Sequence, residues 1–94
     1  MSETIVVVHV RAKPGHGEFV ETQLKKLLSP TRAEAGCIRY DMFSDAEDPL
    51  HFVFLEEWSS IDDYQAHMDE RHMVEFIMAC KGKLAEASTY NLKA

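Results

Sequence analysis

Glycine and proline are scarce in this chain, four and three residues out of 94, which leaves no room for a low-complexity linker. Cysteine occurs only at Cys37 and Cys80. They lack C-x-x-C spacing and are too few for a disulfide framework, so both read as reduced, small buried hydrophobes. Neither lies at a helix start or beside an obvious base, which leaves thiolate catalysis unsupported. No block of Lys and Arg relieves the formal net charge of -6, and this argues against nucleic acid and anionic membranes as partners. No apolar run approaches the ~18 residues of a membrane-spanning helix. The start, Met1-Ser2-Glu3-Thr4, has no basic stretch ahead of an apolar one, so a cytoplasmic location is expected. A glycine-rich phosphate loop and a dinucleotide fingerprint are also missing, and no cofactor is expected.

What the chain does contain is organised around residues 52–72. Phe52-Val53-Phe54-Leu55-Glu56-Glu57-Trp58 reads as a strand with apolar residues on both faces, which places it mid-sheet. Ser60, three residues before Asp63, starts a helix with an approximate capping box. On that helix Ile61, Tyr64 and Met68 form a stripe with His67 at its border. Upstream, residues 4–12 form a strand that is again apolar on both sides. Residues 17–33 form a helix that Pro30 should kink or restart as a new turn, and Gly36 supplies a left-handed end. Residues 37–44 form a second strand with Ile38, Tyr40 and Met42 on one face, Arg39 and Asp41 on the other. A further helix carries Met73, Phe76, Ile77, Cys80 and Leu84, and residues 88–93 form the last strand, with Tyr90 and Leu92 on its apolar side.

The order β-α-β-β-α-β predicts an α+β, ferredoxin-like fold: one four-stranded antiparallel sheet, helices on one face. The first and third strands are central. Helices cover one face only, yet the central strands are apolar on both. A second copy packed sheet to sheet, about 10 Å away, solves this, so a homodimer is expected.

Trp58, Tyr64 and His67 converge on one sheet–helix seam, with Phe54 or His9 as further pocket wall. Core packing accounts equally for Trp58 and Tyr64. His67 suits proton transfer near neutral pH, or a structural hydrogen bond. Glu56, on an otherwise aromatic face, needs a partner, and Arg39 is the candidate. His67 and His72 are five residues apart, off a common helical face, so no metal site is expected.

Several stretches together resemble the antibiotic biosynthesis monooxygenase family. They are Lys13-Pro14-Gly15, the run from Pro30 to Tyr40, Glu56-Glu57-Trp58, and Ala66-His67 followed by His72. The resemblance covers nearly the whole chain and implies a dimeric α+β barrel. Relatives include anthrone and quinol monooxygenases, haem-degrading enzymes and an isomerase of a phosphorylated signalling sugar. Trp58 and Tyr64 match pocket positions of the aromatic-oxidising members, and His67 and His72 match recurrent family positions. The strand Asn of those oxidising members and of the haem degraders has no counterpart: Asn91 is the one Asn here, and Phe54 holds the comparable place. No His follows His72 to ligate a haem iron. The expected activity is cofactor-independent oxygenation of a small phenol or quinol, with His67 as base. Isomerisation or binding of a small metabolite in the same pocket is the alternative.

Overall fold

The computed structural model describes residues 3–94. In chain order the elements are β1 Thr4–Ala12, α1 Gly17–Lys25, α2 Leu28–Arg32, β2 Cys37–Ser44, β3 His51–Trp58, α3 Ile61–Met68, α4 Arg71–Ala79 and β4 Leu84–Leu92. The strands form one antiparallel sheet in the order β2-β3-β1-β4. The two strands that are apolar on both faces are therefore the central ones, as their sequence requires. Val6, Val10 and Ala12 of β1, and Phe52, Phe54 and Trp58 of β3, turn to the helices and are buried with Val20, Leu24, Leu27, Met73 and Phe76. The opposite face is left uncovered by this chain. It carries Ile5, Val7, Val53 and Leu55, with Tyr90 across from Val7 and Leu92 across from Ile5.

Four expectations about local structure need correction. The helical region of residues 17–33 breaks at Lys26 and Leu27, so a new turn starts just before Pro30 and the helix is not kinked at it. Pro30 is the third residue of α2, within the first turn, where a backbone N–H has no helical partner and its loss is harmless. The strand β4 begins at Leu84 rather than Ser88: α4 stops at Ala79, Gly82 takes φ +78°, and Leu84 joins the sheet. On β2 the register slips between Cys37 and Arg39. That bulge removes Ile38, 53% exposed, from the face occupied by buried Tyr40. Ile77 is likewise exposed, because α4 buries only a narrow stripe of Met73 and Phe76. Both cysteines are free, Cys80 buried and Cys37 half-buried.

The turn into α3 follows the capping pattern. Ser60 Oγ accepts from the Asp63 backbone N–H at 3.1 Å, and Asp63 Oδ2 accepts from Ser59 Oγ at 2.6 Å and Ser60 Oγ at 3.0 Å. Gly36 sits under this knot at φ +82°, its carbonyl taking the Ser59 N–H at 2.8 Å. A Cβ at Gly36 would run into the Asp63 side chain. Gly36→Ala is accordingly expected to cost about 2 kcal/mol or more, from left-handed strain and overpacking together. Urea unfolding measures this, and an unchanged midpoint would contradict it.

Candidate active-site cavity

Between the sheet and the helices lies a cavity of about 70 Å³. Its walls are aliphatic or aromatic residues of β1, β3, α1 and α4, with Tyr40, Glu56, Tyr64 and His67 as the main polar groups. The alternation of β3 sends Phe54 and Glu56 into this space. The α3 stripe brings Tyr64 and His67 down from above.

His67 is 1% exposed. Its Nδ1 is 2.8 Å from Glu34 Oε2, and His72 Nε2 lies 2.6 Å from the same oxygen. A carboxylate only accepts, so each of those ring nitrogens carries a proton. The proton of neutral His67 is thereby fixed on Nδ1, and Nε2 is left as the lone-pair side. Nε2 has no hydrogen bond among the described residues, and His67 lines the cavity. Burial pushes the His67 pKa below the ordinary imidazole value, with Glu34 partly offsetting this. His67 is thus a neutral, oriented acceptor near neutral pH.

Trp58, fully buried, stands behind the imidazole at 4.9 Å between ring centroids and does not line the cavity. Its Nε1 donates to Glu56 Oε1 at 2.9 Å. Burial raises the Glu56 carboxyl to about 7, the Trp58 hydrogen bond only partly offsetting it. Burial also raises the phenols of Tyr40 and Tyr64, which keeps both as neutral donors.

Phe54, Tyr64 and His67 therefore meet at one cavity, whereas Trp58 and His9, both expected to border it, do not. His9 projects from the open face of the sheet, because its neighbours Val8 and Val10 turn to the helices. There it stacks on His51 at 5.1 Å, with Nδ1 2.9 Å from His51 Nε2, and His51 is held by Asp45 at 2.8 Å. Arg39 is not the partner of Glu56. It lies on the open face with Asp41 at 2.6 Å and Glu57 at 3.8 Å.

The cluster of Glu34, His67 and His72 was not legible from local spacing. The two histidines sit on different helices, and the intervening bend brings both to one carboxylate. Their three ligand atoms lie within 4.8 Å of one another, and this is the place where the described residues could hold a metal. In this structure the two histidines share one oxygen of Glu34 through hydrogen bonds.

Glu56 makes a stability prediction. Its folded pKa lies above the unfolded value, so the native state holds a proton that the unfolded chain has lost. Its contribution is intact below the usual carboxylate range and is lost as pH rises through about 7. Glu56→Gln should thus stabilise the fold by up to about 3 kcal/mol near pH 9 relative to pH 5. Chemical unfolding at the two pH values checks the sign.

A ferredoxin-like sheet with helices on one face, enclosing an apolar cavity that carries a carboxylate-oriented imidazole, defines the class of this protein. The family model for the antibiotic biosynthesis monooxygenases matches residues 4–79, and the chain belongs to that family. It is 30% identical over 91 residues to the probable quinol monooxygenase YgiN of Escherichia coli (strain K12), covering 86% of this chain and 88% of that one. PA3566 from Pseudomonas aeruginosa, a solved structure, superposes with a TM-score of 0.96 at 29% identity, over 100% of this chain and 95% of that one. A conserved protein from Methanosarcina mazei Go1 gives a TM-score of 0.88 at 26% identity, over 99% and 93%. Among the described residues no helix is long and apolar enough to cross a membrane.

Proposed function

We propose that this protein is a monooxygenase of a small, single-ring quinol or phenol, needing neither metal nor flavin, with His67 as the base. The observation that carries the reading is an imidazole held through Nδ1 by Glu34 in the wall of an apolar cavity. His67 takes a phenolic proton, and the resulting electron-rich anion reduces O₂ directly. For a quinol the balance is quinol plus O₂ to hydroxyquinone plus water, the substrate supplying all four electrons. An apolar site favours this chemistry by excluding water from the peroxide.

Cavity size supports one ring over three. About 70 Å³ is less than the ~150 Å³ that takes up benzene. Even a single ring thus requires the flexible Met68 and Met73 to yield, and a tricyclic anthrone is disfavoured. The alternative of a phosphorylated sugar substrate has little support, since no Lys or Arg lines the cavity and Glu56 does. YgiN is called a probable quinol monooxygenase, which agrees with the substrate class proposed here. The uncovered sheet face further supports a homodimer, with one cavity in each subunit.

Oxygen uptake with a panel of one-ring quinols, in metal-free buffer without flavin, tests the reading. Consumption of one O₂ per hydroxyquinone formed is expected. No uptake above the uncatalysed rate with any of them would overturn it.

A further inference from the structure

Oxygenation of a quinol moves more protons than one base can handle in a single stage. In the first stage His67 takes the phenolic proton, the ring carbon bonds to O₂, and the imidazolium returns its proton to the peroxide. The carbon then carries both a hydrogen and an OOH group. Water is lost only if a base removes that hydrogen while an acid protonates the departing hydroxide. The second stage needs two groups on one cavity.

Glu56 is placed to be the second. It projects from β3 into the cavity and is 3% exposed. Trp58 Nε1 holds its Oε1 at 2.9 Å, and its other oxygen has no hydrogen bond among the described residues. Val6 of β1 and Tyr40 of β2 flank it in register. Tyr64 and His67 face the same cavity from α3, and Glu34 is the anion that acts on it.

Resting on the oxygenase reading, we infer that Glu56 is the acid that cleaves the peroxide. Its carboxyl proton goes to the distal oxygen as the O–O bond breaks, and His67 takes the proton from the same carbon. The C–O bond becomes a carbonyl, water leaves, and the imidazolium then reprotonates Glu56. Enolisation of the carbonyl gives the hydroxyquinone. Atoms and electrons balance without any further oxidant or reductant. Burial amid apolar side chains keeps this carboxyl protonated up to about pH 7, so the proton is available at neutral pH.

Glu56→Gln tests the inference through product identity. Glutamine keeps an oxygen for Trp58 Nε1 and the same volume but has no proton to give. The peroxide should then leave as hydrogen peroxide, giving quinone in place of hydroxyquinone (quinol plus O₂ to quinone plus H₂O₂). The wild type should release almost no H₂O₂. The variant should release about one per O₂, with hydroxyquinone formation lowered by about 10²-fold or more. A variant making hydroxyquinone at the wild-type rate without H₂O₂ overturns the assignment alone. A wild type that consumes no O₂ overturns the oxygenase reading beneath it. Should the variant not fold, infrared titration of the wild type decides: a buried protonated-carboxyl band vanishing near pH 7 is expected, and its absence overturns the inference.

Discussion

His67→Ala is expected to lower turnover by about 10²- to 10⁴-fold, the range for loss of a general base. The wild-type rate should rise with pH through the His67 pKa, because only the neutral ring accepts a proton. Burial places that inflection below the ordinary imidazole value, so activity should persist into mildly acidic solution. The variant should lose the inflection and remain folded, since Glu34 keeps His72 as a partner at 2.6 Å. A purely structural His67 gives the opposite pattern. Stability would fall by about 1–3 kcal/mol if a buried partner is left unsatisfied, and activity per folded molecule would barely change. A pH–rate profile and a thermal midpoint on both proteins separate the two.

Leu55→Glu should abolish assembly. Leu55 faces Val7 in the central pair of strands on the uncovered side of the sheet, with Phe43, Tyr90 and Leu92 about half exposed around the same face. A patch of this kind, several hundred Å² in extent, is rare on soluble monomers. In a symmetric pair one substitution introduces two facing charges, and each uncompensated buried charge costs about 3–5 kcal/mol. The wild type should sediment at twice 10.7 kDa and the variant as a monomer or unfolded chain. A stable, folded wild-type monomer of 10.7 kDa at about micromolar concentration would sink the dimer proposal.

Most of the fold was readable because its signals are local. Apolar residues on both faces of residues 4–12 and 52–58 mark central strands, and the Ser60–Asp63 spacing marks a helix start. Where expectation failed, the deciding information was not local. The bulge at Ile38 comes from pairing with β3, and no local signal marks the break after Lys25. His9 was misplaced because a strand apolar on both sides does not say which side meets the helices. Glu56 was recognised as costly to bury, but its partner was sought across the sheet in Arg39. It is found two residues along the same strand, in the indole of Trp58. Glu34 bonds His67 across 33 positions, and only the family-like run from Pro30 to Tyr40 marked its neighbourhood.

The indole tilted against His67 has a use outside the proposed catalysis. Trp58 is the single tryptophan of the chain, fully buried and 4.9 Å from the imidazole. Imidazolium quenches indole fluorescence by accepting an electron, whereas neutral imidazole does so weakly. The emission of the unmodified protein should therefore dim as His67 takes up its proton. A quinone formed in the adjoining cavity, a stronger electron acceptor still, should darken it further. The molecule thus carries its own optical readout of His67 protonation and, under the proposed activity, of product, with no label required.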